Sequence, residues 1–122
     1  GLSLQDGSGL SRTNQVTTKI LSKLLSIMSK QKNFDIYYNS FSTVGDTTDI
    51  GYLKKFGLNS NVQNNARIKT GYINGVRSHS GYVHSKSGKL ITFSLIVNNY
   101  NCSVSDINKL HEKVVKSLAN LK

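Results

Sequence analysis

Apolar residues at Val16, Ile20, Leu21, Leu24, Leu25, Ile27 and Met28 recur at the spacing that places them mainly on one face of a helix. Lys19, Ser22, Lys23, Ser26 and Lys30 take the other face, and Thr13 or Asn14 stands where a side chain can cap the first free N–H groups. Further along, the period changes. Ala66 to Ile73, Ser80 to Ser85 and Leu90 to Asn98 read as strands, with Lys86-Ser87-Gly88-Lys89 turning a hairpin between the last two. On the third strand Ile91, Phe93, Leu95 and Val97 share one face, while Leu90 and Ile96 add apolar weight to the other, so a helix is needed to cover it. The end of the chain supplies one: Ser103 and Asp106 have capping-box spacing, and Ile107, Leu110, Val114, Leu118 and Leu121 repeat helically. The pattern predicts a mixed α/β (α+β) fold, an antiparallel sheet of about three strands packed by N- and C-terminal helices.

Two stretches lack this periodicity. Gly1 to Arg12 is a glycine and serine loop with turn signals at Asp6-Gly7 and Ser8-Gly9. Residues 31–64 are polar, with Phe34, Tyr37, Tyr38, Phe41, Tyr52 and Phe56 scattered among them. A loop of that length needs short elements of its own, so a helical turn or two is expected around Asp49 to Phe56, with the aromatics anchoring it.

Composition narrows the reading. At 122 residues the chain is about one domain, and its formal net charge of +10 calls for an anionic partner, whether nucleic acid, acidic lipid or wall polymer. Lys and Arg do not gather on one face as a phosphate-tracking surface requires, which argues against nucleic acid. No apolar run is long enough for a transmembrane segment. Cys102 is the single cysteine, so no disulfide forms within the chain, and a buried small hydrophobe is its expected role. His79, His84 and His111 share no metal-ligand spacing, and neither a metal nor a cofactor is expected.

The candidate chemistry lies in Lys69-Thr70-Gly71, which on a strand is one of three signatures of serine acyl-transfer enzymes that recognise penicillin. Alternation turns Arg67, Lys69 and Gly71 one way and Ile68, Thr70 and Tyr72 the other. Beside a cleft, Lys69 holds a cation for an incoming carboxylate, Gly71 clears room for a substrate backbone, and the amide of Tyr72 can face a developing oxyanion. The nucleophile of such enzymes needs Ser-x-x-Lys on a helix. Only Ser29-Lys30-Gln31-Lys32 has those letters, at the frayed end of the first helix, where Lys32 would be solvated, so the match reads as coincidence. The third signature, Ser-x-Asn, does not occur.

Several stretches occur in an order that resembles one family. They are Asp6-Gly7-Ser8-Gly9-Leu10-Ser11-Arg12 with Asn14, Lys69-Thr70-Gly71, Gly75-Val76-Arg77-Ser78, Ser80-Gly81-Tyr82-Val83, Ser87-Gly88-Lys89, and Phe93 through Tyr100. Together they resemble the carboxy-terminal part of the class C low-molecular-mass penicillin-binding proteins, the D-alanyl-D-alanine carboxypeptidases and endopeptidases of bacterial cell-wall metabolism. The resemblance runs from Gly1 to about Leu121. It implies part of the penicillin-binding, serine beta-lactamase-like transpeptidase fold, with residues 1–122 forming the carboxy-terminal part of a single peptidase domain. It also implies that Lys69 belongs to the third active-site box, that Thr70 bonds the substrate's terminal carboxylate, and that the Tyr72 amide is one oxyanion donor beside Gly71. Implied partners are D-Ala-D-Ala peptides of peptidoglycan, beta-lactams and the upstream part of the same chain, in the periplasm or in a cell-envelope or extracellular location. The nucleophilic serine would lie upstream, so these residues alone would be inactive. Tyr72 departs from the small hydroxyl residue usual after the box, and Thr48-Asp49-Ile50 from a usual Gly-Thr-Leu. The alternative class is a non-catalytic basic module that holds an anionic wall polymer or nucleic acid.

Overall fold

One antiparallel sheet carries the molecule, with strands β1 (Ser42–Thr43), β2 (Ala66–Ile73), β3 (Val76–His84) and β4 (Leu90–Asn98) in that order across it. Helices α1 (Thr18–Met28), α2 (Phe34–Asn39) and α3 (Val104–Ala119) complete the fold, with a short 3-10 helix at Tyr52–Lys55. The computed structural model describes residues 1–49 and 51–122; Ile50, part of the departure at Thr48-Asp49-Ile50, lies outside the described residues. The sheet has four strands where the pattern suggested about three, because β1 is two residues long and too short to leave a period.

The middle strand is also longer than expected: it starts at Val76, not Ser80, and pairs with β2 from Ile73↔Val76 to Ala66↔Val83. Asn74 and Gly75 make the connecting turn, with Gly75 at φ 78°, a conformation that suits glycine. Asn-Gly between two apolar-alternating runs is a strong hairpin signal, and it would have located this turn.

Side chains alternate, so Arg67, Lys69 and Gly71 face α1 together with Tyr82 and Ser78, while Ile68 and Thr70 share the α3 face with His79 and Phe93. The α1 face is tied down by the Tyr82 hydroxyl, which donates to the Leu25 carbonyl at 2.8 Å. Phe34, Tyr38 and Phe41 ring Tyr82 at centroid distances of 5.3, 5.5 and 5.7 Å, so the aromatics of the long loop do anchor it. On the opposite face Phe93, Ile91 and Leu95 meet Val115, Ala119 and Leu118, and Val44, Leu53, Phe56 and Val62 close the end of that core. Burying a side chain such as Phe56 contributes about 1.5–3 kcal/mol.

Three local expectations are corrected. The first helix is capped by Thr17, whose hydroxyl accepts from the Ile20 N–H at 3.2 Å, and not by Thr13 or Asn14. The Asn14 carboxamide is already engaged by the preceding loop, accepting from the Gln5 N–H at 2.8 Å. Cys102 is exposed, because it sits in the link between β4 and α3 ahead of the cap. The capping box at Ser103 and Asp106 forms, but α3 buries Ile107, Asn108, His111, Val115 and Ala119, leaving Leu110 and Leu121 outward. Two members of the buried stripe are polar, so an apolar periodicity placed the helix face about one residue position away.

Candidate active-site wall

The strand that carries Lys69-Thr70-Gly71 is protected along only part of its outer edge. β1 pairs with Ile68 and Arg67 and then ends, so from Lys69 onward β2 has no outer neighbour among the described residues. The Ala66 carbonyl accepts from the Val44 N–H on that outer side at 2.9 Å. In an antiparallel ladder this orientation repeats every second residue, so the peptide groups of Thr70 and Tyr72 also point outward, with no strand partner among the described residues. The amide that sequence reasoning assigned to an oxyanion thus lies on an accessible sheet edge.

The Lys69 side chain is exposed, and its ammonium donates to the Thr70 carbonyl at 3.2 Å. Beside it, on the α1 face, is a cavity of about 520 Å³, lined in part by Gly71, Tyr72 and Ile73 of β2, Ser78 of β3, and Arg12 and Asn14 of the amino-terminal loop. Lys69 and Thr70 flank this cavity without lining it. Gly71 leaves room here: a Cβ on it would come within 2.5 Å of the Ser78 hydroxyl oxygen, which would have to rotate away. The loop's shape comes from Asp6, whose carboxylate accepts from the Ser8 hydroxyl at 2.6 Å and from the Asn14 carboxamide at 2.8 Å. Those two bonds, Ser8 first, hold the Asp6 carboxyl below its usual range. Ser3 and Gln15 close the base of the loop with reciprocal backbone bonds of 2.9 and 2.7 Å. Ser29 is the C-cap of α1 and spends its hydroxyl on the Ser26 carbonyl at 2.9 Å, so Ser29 and Lys32 do not share a helix.

Behind the wall, on the α3 face, lies a buried polar set that the sequence did not reveal. Arg77 donates from Nε to the Asn108 carboxamide oxygen at 2.8 Å and from Nη1 to the Gly71 carbonyl at 3.3 Å. Its Nη2 lies 3.3 Å from His79 Nε2, and His79 Nδ1 lies 2.6 Å from His111 Nδ1. A guanidinium can only donate, so neutral His79 accepts at Nε2 and donates from Nδ1 to His111. His111 is then left with its N–H at Nε2, a buried atom with no partner among the described residues. The two histidines lack metal-ligand spacing in sequence, yet the fold brings them into contact; among the described residues they belong to no cluster of three or more metal-ligating side chains.

Burial first, then Arg77 and His111, push His79 down to about 3, and burial and Arg77 lower His111. Unfolded imidazoles near 6.5 therefore take up protons that the folded ones refuse. Stability from His79 is full above about pH 6.5 and declines as pH falls toward about 3, and the lowered His111 adds to the loss in the same direction. Each unit in that window costs up to about 1.4 kcal/mol for His79. Urea midpoints at about pH 7 and pH 4.5 should show this loss, and His79→Phe should reduce it. An undiminished loss in a folded His79→Phe protein would show that His79 does not contribute.

Residues 1–121 match the D-Ala-D-Ala carboxypeptidase 3 (S13) family, and the chain belongs to that family. The fold is similar to that of penicillin binding protein 4 from Haemophilus influenzae, at a TM-score of 0.82 and 24% identity over 98% of this chain and 28% of that one. The same protein complexed with a novel beta-lactam also gives a TM-score of 0.82, at 23% identity over 95% of this chain and 28% of that one. A predatory endopeptidase from Bdellovibrio bacteriovorus, in complex with an immunity protein, aligns at a TM-score of 0.69 and 21% identity over 99% of this chain and 34% of that one. The chain therefore spans 28% to 34% of the length of these structures. Among curated proteins none matches. The family expected from the motif series holds, as does the penicillin-binding-protein-like fold, and no described helix is long and apolar enough to cross a membrane.

Proposed function

We propose that residues 1–122 form the carboxy-terminal part of a penicillin-sensitive, serine-type D-Ala-D-Ala peptidase domain that acts on peptidoglycan stem peptides in the cell envelope. The observation that carries this reading is the open edge of β2 at Thr70 and Tyr72, beside a cavity closed by the Asp6 to Arg12 loop. A peptide laid along that edge pairs with the Thr70 and Tyr72 peptide groups as an added strand. Lys69 attracts its terminal carboxylate and Thr70 bonds it, while Gly71 leaves room for its backbone. The Tyr72 N–H then receives the charge that develops on the penultimate D-alanine carbonyl oxygen.

In this reading the attacking serine hydroxyl and its lysine come from the upstream part of the same chain. Attack on that carbonyl expels the terminal D-alanine and leaves an acyl-enzyme, which water resolves. By themselves, residues 1–122 contribute the wall and half of the oxyanion hole and are expected not to turn over substrate. The beta-lactam complex of the Haemophilus protein supports the assignment of ligand class. The test is covalent labelling of the full-length protein by a fluorescent penicillin. A labelled band that withstands denaturation is expected. Absence of labelling, together with salt-sensitive retention on an anionic wall polymer, would replace the peptidase with a non-catalytic binding module.

A further inference from the structure

Arg77 is nearly fully buried, at 7% exposure, and among the described residues no carboxylate comes within ion-pair distance of it. Removing a cation from water without a counter-ion is costly. The protein offsets that cost with neutral acceptors: the Asn108 carboxamide, the Gly71 carbonyl, His79 Nε2 and the face of the Tyr52 ring, 5.5 Å from the guanidinium carbon. His111 locks the His79 tautomer that accepts from Arg77, and Asn108 fixes the guanidinium plane from α3. The result is a rigid cation whose only bond to β2 is at one carbonyl.

That carbonyl belongs to the same peptide unit as the Tyr72 N–H, and the two ends of a trans peptide point in opposite directions. On the inner side that carbonyl already faces Ser78 of β3 in the sheet ladder, and a second, charge-assisted bond from Arg77 at 3.3 Å holds the plane of the unit from the α3 face and draws electron density away from its outward N–H. We propose that Arg77 is a positioning residue for the oxyanion hole, one that aims and polarises the Tyr72 N–H by holding the Gly71 carbonyl. The inference rests on the peptidase reading above. It gives a function to a buried cation that a hydrophobic strut of the same length would replace at lower cost.

The experiment compares Arg77→Met and Arg77→Lys with wild type in the full-length protein, measuring penicillin acylation as a rate constant and a pre-acylation dissociation constant. Deleting an oxyanion donor outright costs about 10²–10³-fold, and misaiming one should cost less. Arg77→Met is expected to slow acylation by about tenfold or more while the dissociation constant stays within about twofold, and Arg77→Lys should recover part of the rate. A folded Arg77→Met protein acylating at the wild-type rate overturns the proposal, as does a loss confined to the dissociation constant. If Arg77→Met does not fold, Asn108→Leu loosens the same guanidinium and should move the rate constant in the same direction. A second readout needs no penicillin: the Gly71 carbonyl carbon shift should move upfield in Arg77→Met, and an unmoved resonance counts against the idea. Wild-type protein that takes no label would overturn the peptidase reading itself, whereas labelled wild type with an equally fast Arg77→Met variant would overturn only the role of Arg77.

Discussion

Lys69→Ala in the full-length protein is expected to lower the second-order rate constant of penicillin acylation by about 10³-fold. The figure follows from the electrostatics of the edge. A unit charge about 4 Å from a substrate carboxylate, at an effective dielectric near 20, contributes about 4 kcal/mol, which is about three factors of ten. In the ligand-free protein the ammonium rests on the Thr70 carbonyl at 3.2 Å, a weak bond in an exposed position that a carboxylate can displace. Salt should matter as well, because an exposed cation is screened within roughly 8–10 Å at ordinary ionic strength. Wild-type acylation should therefore slow as salt rises, and Lys69→Ala should lose that dependence. Lys23→Ala removes an exposed lysine on α1 and serves as the control for net charge. If Lys69→Ala acylates within a few-fold of wild type, or loses no more than Lys23→Ala, the wall does not read a carboxylate through Lys69.

The sequence made the wall legible because its geometry is local. Strand alternation was enough to put Lys69 and Gly71 on one face and Thr70 on the other, and a single tripeptide pointed to the candidate chemistry. β4 was equally readable, since Ile91, Phe93, Leu95 and Val97 form an uninterrupted apolar row. The buried set behind the wall was not, because Arg77 meets Asn108 and His79 meets His111 across separations of 31 and 32 residues. No spacing rule connects such pairs. A signal did exist: His111 falls midway between Ile107 and Val115 at four-residue steps, so the histidine occupies a core position of α3. Following the leucines instead directed attention to Leu110 and Leu121, which face water. α2 and β1 escaped for a different reason: six and two residues are too few for a hydrophobic period to register.

The integrity of this wall should depend on a glycine that the motif does not contain. Gly81 lies in the central strand β3, opposite Ile68 on one side and Phe93 on the other. A Cβ built there would fall onto the Arg67 carbonyl and lie 3.0 Å from the Ile68 Cα. Both obstacles are backbone, so no side chain can rotate away. The strand that must give is β2, immediately before Lys69. Gly81→Ala is therefore expected to cost about 3 kcal/mol or more, at the upper end for overpacking, and to lower the melting temperature by roughly 10 °C. Gly88→Ala separates steric contact from backbone conformation: Gly88 has φ +77° but nothing within 4 Å of a Cβ, so only the left-handed penalty of about 1–2 kcal/mol applies. Any Gly81→Ala protein that still folds should also have a displaced β2 edge, seen as changed amide shifts at Lys69 to Tyr72. A Gly81→Ala protein that melts with wild type and keeps those shifts would mean that β2 and β3 are not packed as closely as described, and the orientation inferred for the Tyr72 amide would lose its basis.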